Sequence, residues 1–492
     1  MNAPTQGRLY IGGEWIAPAG GATEDVLNPA TEAVIAQSPV GDRAQVEAAI
    51  AAARHAFDHG PWPRTDVRAR TVVLARMLDW FDANAQRIIG LIVAEAGATQ
   101  MLAAFLHYGV PMKHARAALE EALRIQPHMS APEVTPSMDG RKVLGTAFNE
   151  HVPVGVVSAI TPYNFPFFLN LGKVVPALAM GNAVVLKPSP FTPLQALIFG
   201  EAAQAAGLPK GVLNVVTGDV ESGQLLTTDP RVDLVSFTGS DTVGARIMAQ
   251  GAPTLKRMVM ELGGKSALIV RQDADLARAA QEGLAQFTIH AGQGCALQTR
   301  HLVHNAIRAQ YVQTMSAMAA HLKVGDPADP SVMMGPLIRA SARERIERYV
   351  EAGRAAGATL AFGGRRPPAL SKGWFYEPTL FDGVDNASRI AQEEIFGPIG
   401  CVIGFDDDDE AIRLANDSVF GLGGGIHSAD AGRAFEMARQ IQTGSVAING
   451  GPGTMLSDMP FGGTKRSGFG REYARAGLLE FTYTRSITFH AG

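Results

Sequence analysis

From residue 153 to 261 the chain alternates short apolar runs with stretches of helical periodicity, and this alternation restricts the fold more than any other feature. The strand candidates are Val-Gly-Val-Val-Ser-Ala-Ile (154–160), Ala-Val-Val-Leu-Lys (183–187), Val-Leu-Asn-Val-Val (212–216), Val-Asp-Leu-Val-Ser-Phe-Thr (232–238) and Lys-Arg-Met-Val-Met-Glu (256–261). Parallel strands need crossover connections, and segments 172–180, 193–206 and 242–250 read as the crossover helices. The pattern predicts a doubly wound, Rossmann-type α/β domain suited to a nucleotide. A second βα series opens at 266–270, passes through an alanine-rich helix near Leu276 and runs to about Asn449, predicting a second α/β domain.

The flanks read as scaffold. Asp42 followed by Gln45 is a capping-box signal for a helix that places Val46, Ile50, Ala53 and Phe57 on one face. Residues 68–96 form an amphipathic helical stretch with Leu74, Leu78, Phe81 and Ile88 among its apolar positions. Pro127, Pro132, Pro136 and Gly140 interrupt any helix between 125 and 152, while the terminal Phe481 to His490 run alternates like an edge strand. Two such strands, far apart in sequence, can pair with each other or with a second subunit.

With 492 residues, 46% apolar and 18% charged, the chain can bury a large core in two or more domains. The net charge of −4 is small and the 43 Lys and Arg are scattered, which argues against nucleic acid as a partner. The first residues lack the pattern of a secretory signal and no segment is long and apolar enough to span a bilayer, so a cytoplasmic protein without membrane contact is expected. Only Cys295 and Cys401 occur, which excludes a disulfide framework and a thiolate metal site; no metal is expected. A cysteine in this chain is therefore either a buried thiol or a reactive one.

Glu261-Leu262-Gly263-Gly264-Lys265-Ser266 puts a carboxylate at the carboxyl edge of a strand, where ligands of open α/β sheets bind. A phosphate loop is excluded, since it would need a glycine where Val259 stands, and no GxGxxG fingerprint occurs. Further on, Gly292-Gln293-Gly294-Cys295 flanks a thiol with glycines that permit close approach to the backbone.

These segments resemble the aldehyde dehydrogenase superfamily, in its hydrolytic, non-acylating branch. Pro162-Tyr163-Asn164-Phe165-Pro166 is similar to the family's PWNFP segment, Lys187-Pro188-Ser189-Pro190 to KPSE, Phe237-Thr238-Gly239-Ser240 to FTGS, and residues 261–266 to ELGGKS. Residues 292–295 resemble the GQxC nucleophile motif, 393–398 the EEIFGP motif, and 460–472 the closing motif that ends on Glu472. The motifs run in order from about residue 8 to the C-terminus.

The resemblance implies a thiol nucleophile at Cys295, an oxyanion donor at Asn164 and a water-activating base at Glu261. Lys173 and Glu472 match polar positions of the active-site network, for which a plain structural role remains open. The cofactor is expected to be NAD, with NADP tolerated, against Ile160, Thr161, Pro162, Lys187, Ser189, Pro190, Gly239, Ser240, Leu262, Glu394 and Phe396. Lys187 would face the adenine ribose, the helix opened by Ser240 the pyrophosphate, and Glu394 the nicotinamide ribose with Phe396 beside it. The family implies residues 1–124 with 148–260 as the NAD(P)-binding domain and 261–460 as the catalytic domain. Residues 125–147 and 475–492 would be a small β oligomerisation element of a homodimer or homotetramer. A coenzyme-A-acylating relative would not need Glu261, and a silent scaffold on the same fold would not need Cys295, Glu261 and Asn164 together.

Three positions depart from the family pattern. Pro190 replaces a common Glu, removing a carboxylate that would repel a 2′-phosphate. Tyr163 replaces Trp and keeps an aromatic body. His290 replaces a common Asn and reads as a histidine satisfied by local hydrogen bonds. The substrate tunnel is expected to be lined by Phe165, Phe168, Leu169, Gly172, Ile289, Gly294, Ala296, Met455, Leu456 and Phe461. Small residues at Gly172, Gly294 and Ala296 predict a wide apolar tunnel with no Arg or Lys to clamp a carboxylate, suiting terpenoid, aromatic or medium-chain aldehydes.

Overall fold

The computed structural model describes residues 7–491. The five expected strands form at Val156–Ile160, Ala183–Lys187, Leu213–Val215, Leu234–Thr238 and Arg257–Glu261. The first four are buried throughout, which explains their continuous apolar composition. They pair in parallel in the spatial order Leu213–Val215, Ala183–Lys187, Val156–Ile160, Leu234–Thr238, Arg257–Glu261. Antiparallel strands extend this sheet, Leu9–Ile11 and Glu14–Ile16 at one edge and Gly468–Phe469 at the other. The strand order reverses between Val156–Ile160 and Leu234–Thr238, and that switch point opens a crevice beyond their carboxyl ends.

The Arg43–Asp58 helix begins with the full capping box: Asp42 accepts from the Gln45 amide at 2.8 Å and Gln45 accepts from the Asp42 amide at 3.2 Å. Residues 68–96 are not one helix. Val67–Ala83 and Ala85–Ala96 meet at Asn84, whose φ of −110° leaves the helical range and whose side chain donates to the Trp80 carbonyl. The first crossover helix starts earlier than its periodicity indicated, at Pro166–Ala179, with proline in its first turn where no amide donor is needed. Val220–Thr228, capped by Asp219, is a further crossover that the sequence pattern did not reveal.

The second sheet runs Thr359–Phe362, Thr379–Asp382, Ile399–Phe405, Arg300–His304, Ala267–Val270, Gly424–His427, Ala447–Ile448, parallel except for the first strand. A separate four-stranded sheet pairs Lys142–Pro153 with Thr482–Ala491 along their length, with His128–Met129 and Glu133–Pro136 on the other side. The Lys142–Pro153 strand runs unbroken through residues 147 and 148, so the division expected there falls inside one element.

Candidate active site

Three segments converge at the crevice. The first is the turn after Val156–Ile160, where Thr161 donates to Asn170 at 2.7 Å and Asn164 lies buried. The Asn164 amide donates to the Gln293 carbonyl at 2.9 Å, and its own carbonyl oxygen has no hydrogen-bond partner.

The second segment carries the thiol. After the Leu276–Thr288 helix, His290 and Ala291 adopt left-handed φ values of 51° and 52°. For residues with a Cβ this costs roughly 1–2 kcal/mol each. Gln293 holds the turn in place. Its backbone and side-chain N–H groups both donate to the His290 carbonyl, at 3.1 and 3.0 Å, and its side-chain oxygen accepts from the Ile338 amide at 3.0 Å. Cys295 follows, half-buried. Burial, with the carboxylates of Glu394 and Glu261, pushes its thiol up to about 12. At neutral pH the resting thiol is therefore protonated.

The third segment is the end of Arg257–Glu261 and its glycine pair. A Cβ on Gly264 would lie 2.4 Å from the Cys295 carbonyl oxygen, and one on Gly263 would lie 2.7 Å from the Glu394 carboxylate. Glu394 accepts from the Gly264 amide at 3.0 Å, and burial raises its carboxyl to about 7. The glycines thus serve the close approach of the thiol loop and Glu394. Glu261 is buried with neither oxygen hydrogen-bonded, and burial followed by the charge of Glu472 raises it well above the usual carboxylate range. Nearby, Lys173 donates to Ser236 at 3.0 Å and to Glu472 at 2.5 Å.

Phe165, Phe168, Leu169, Ala296 and Phe461 gather with Cys295 in one apolar cluster. Gly172 and Gly294 do not widen it. A Cβ on Gly172 would meet the Tyr473 hydroxyl at 2.7 Å, and one on Gly294 would meet Leu297 at 2.8 Å. Ile289, Met455 and Leu456 lie outside the cluster, the last two exposed, and Lys113 donates to the Met455 carbonyl at 3.2 Å. His290 is buried against His107 and Phe165, with ring centroids 5.0 and 5.4 Å away. Burial lowers its pKa to about 4, opposed by a hydrogen bond between its ring and the Asn164 backbone.

Among the residues expected to meet the cofactor, Lys187 is buried, donates to the Pro188 carbonyl at 3.2 Å and is lowered to about 8 by burial, against the opposing charges of Asp219 and Glu24. Ser189 accepts from the Phe191 amide at 3.3 Å, beside the half-buried Pro190. Gly239 leads to Ser240, which caps the Asp241–Gly251 helix by accepting from Val243. Leu262 packs where a Cβ on Gly244 would clash, at 2.7 Å. Phe396, at φ 58°, stands edge-on to Tyr163 at 6.0 Å. Among the described residues no helix is long and apolar enough to cross a membrane, and no three His, Cys, Asp or Glu group to hold a metal.

The model of the aldehyde dehydrogenase family matches residues 15–487. The chain belongs to the aldehyde dehydrogenase family. It is 38% identical over 486 residues to geranial dehydrogenase of Castellaniella defragrans, covering 97% of this chain and 98% of that one. It is 36% identical over 486 residues to 3-succinoylsemialdehyde-pyridine dehydrogenase of a Pseudomonas species, covering 98% of each. The structure matches a betaine aldehyde dehydrogenase variant from Staphylococcus aureus, solved with NAD+ and a mercaptoethanol-modified cysteine, with a TM-score of 0.94 and 34% identity, over 99% of this chain and 98% of that one.

The Asp241–Gly251 helix starts at the switch point; its Thr242 and Val243 amides donate to Asp241 and Ser240, and the buried Thr238 hydroxyl beside it has no partner. Several site residues escaped the sequence. Gln293 stands inside the Gly292–Cys295 motif, and its signal was the glutamine itself. Leu106, Val110, Leu422 and Tyr473 complete the apolar cluster from distant segments and carry no local signal.

Proposed function

We propose that this aldehyde dehydrogenase oxidises an aldehyde with an apolar body to its carboxylic acid, using NAD, through a thioester on Cys295 that Glu261-activated water hydrolyses. One observation carries the reading: Cys295 lies in an apolar cluster, its loop is tied to the Asn164 amide, and the unpaired Glu261 carboxylate is within its electrostatic reach.

Attack by the thiol on the aldehyde carbon places negative charge on the carbonyl oxygen. The second Asn164 N–H, not used by Gln293, is the donor we assign to that oxygen, a contribution of about 3–4 kcal/mol to the transition state. NAD, when bound, supplies the acceptor for the hydride lost from the substrate carbon. Lys187, Ser189 and Ser240 with the following helix would hold its adenosine and pyrophosphate portions, and Glu394 with Phe396 the nicotinamide ribose. Glu261, whose carboxyl burial and Glu472 raise, is the base we assign to that water. Coenzyme A is not required by such a site.

NAD is the first choice, supported by the NAD+ complex of the structural relative, and the absence of a carboxylate at Pro190 supports use of NADP as well. A relative named for geranial, a terpenoid aldehyde, and the aromatic lining support an apolar substrate. Tyr483, Ile487 and Phe489 are exposed on the Thr482–Ala491 strand, which supports a homodimer or homotetramer built on that sheet.

The test is cofactor reduction by wild type and Cys295→Ala with terpenoid, aromatic and short aliphatic aldehydes. Reduction that needs Cys295 and favours the apolar substrates is the expected result. Equal reduction without the thiol removes the thioester route, and preference for short or charged aldehydes removes the substrate class.

A further inference from the structure

Tyr473 occupies the left-handed region at φ 61°, and Ala474 follows at φ 50°. A bulky aromatic there is an outlier that persists only where its surroundings over-determine it. Here they do. Phe461 and Glu472 exchange two backbone hydrogen bonds, at 2.8 and 2.7 Å, and the Tyr473 ring packs edge-on to Phe168 at 5.5 Å and His114 at 4.8 Å. The phenol is thereby driven onto Gly172, where only the missing side chain leaves it room.

Its hydroxyl is buried without a hydrogen-bond partner, and so are Glu472 Oε2 and both oxygens of Glu261. Tyr473 shares the apolar cluster of Cys295, and a Cβ on Gly462, next to the Phe461 that pairs with Glu472, would lie 2.8 Å from Glu261 Oε1, so these groups border one site; burial together with the two carboxylates keeps the phenol protonated. One O–H donor thus shares this site with unpaired carboxylate oxygens and the thiol. Buried polar atoms in such numbers are met by ordered water.

We propose that Tyr473 donates its phenolic hydrogen to the water that cleaves the Cys295 thioester, holding that water jointly with Glu261. The proposal rests on the thioester route above and adds a residue to its hydrolytic half. In that step the water oxygen adds to the thioester carbonyl carbon and a water proton passes to Glu261. The C–S bond then breaks with its electron pair going to Sγ, and the proton on Glu261 restores the thiol. The acid leaves, and Tyr473 keeps its own hydrogen throughout.

The test uses an activated ester, p-nitrophenyl acetate, on the full-length protein without nicotinamide, so that acylation and deacylation of Cys295 are read apart. In Tyr473→Phe the ring and its packing remain. The expected result is an intact first-turnover burst, a steady-state rate reduced about tenfold, as for one lost hydrogen bond, and an acetyl adduct accumulating on Cys295 by intact-protein mass. Gly172→Ala, whose methyl would displace the hydroxyl, is expected to give the same pattern. Steady-state turnover equal to wild type with no adduct, or equal loss of burst and steady state, would overturn the role of Tyr473. A wild type that forms no acyl adduct would overturn the thioester route itself, and the water site with it.

Discussion

Lys173 and Glu472 meet at 2.5 Å although 299 positions separate them, and their side chains are 0% and 3% exposed. The contact joins the Pro166–Ala179 helix to the closing motif directly beside Glu261. Removing one partner of a buried pair leaves an uncompensated charge, at a cost of about 3–5 kcal/mol, whereas replacing both by apolar groups is far milder. Glu472→Leu is therefore expected to lower the thermal midpoint markedly, and Lys173→Met/Glu472→Leu to recover most of it. Calorimetry decides; a single variant as stable as wild type means that the pair adds no structural coupling.

Asn164 makes one hydrogen bond with its amide and is buried at the mouth of the thiol loop. If the remaining N–H serves the oxyanion, Asn164→Ala lowers kcat by about 10²–10³-fold and leaves the Kd for NAD unchanged. A loss confined to KM would place Asn164 in substrate binding instead. Cofactor titration by fluorescence quenching, run beside the rate assay, distinguishes the two.

The thiol of Cys295 is raised to about 12 by burial first, then by Glu394 and Glu261. Its thiolate fraction should keep rising with pH beyond the point at which an ordinary thiol, with a pKa near ~8.5, levels off. Glu394→Gln removes one negative neighbour, which lowers the thiol pKa and raises the thiolate fraction at any pH below it. The accompanying loss of nucleophilicity offsets only about half of that gain. Iodoacetamide alkylation of the cofactor-free protein at mildly alkaline pH is thus expected to run several-fold faster in Glu394→Gln. Alkylation that plateaus early, or slows in the variant, would mean the carboxylate is not what restrains the thiol.

The first sheet was legible because strands such as Val156–Ile160 and Ala183–Lys187 are buried on both faces and need no partner information to be recognised. The helix break at Asn84 was not, since it has neither Gly nor Pro to mark it and is set by a side-chain bond to Trp80. The short Val220–Thr228 helix lacks a strong apolar stripe, and its cap, Asp219, is an ordinary residue in a loop. At the site, the motifs around Asn164, Glu261 and Cys295 led to one crevice. Free space was the quantity the sequence could not convey. Gly172 and Gly294 read as openings, yet Tyr473 and Leu297 fill them, and for Gly172 the occupant comes from the other end of the chain.

Pro190 lies half-buried three residues after the buried Lys187, in a region where Asp219 and Glu24 already bear on that lysine. An additional carboxylate at 190 would face the adenine ribose in the proposed binding mode and repel a 2′-phosphate, while its oxygens could still accept from a ribose diol. Pro190→Glu is accordingly expected to raise KM for NADP by about tenfold or more while changing KM for NAD little, because like-charge juxtaposition acts on the phosphorylated cofactor alone. Salt should narrow the difference, since the repulsion at a partly exposed site is screened. Paired KM measurements at low and high ionic strength check both points. Equal KM values for NADP in wild type and variant would mean that Glu24 and Asp219, not position 190, set the electrostatics of the adenosine site.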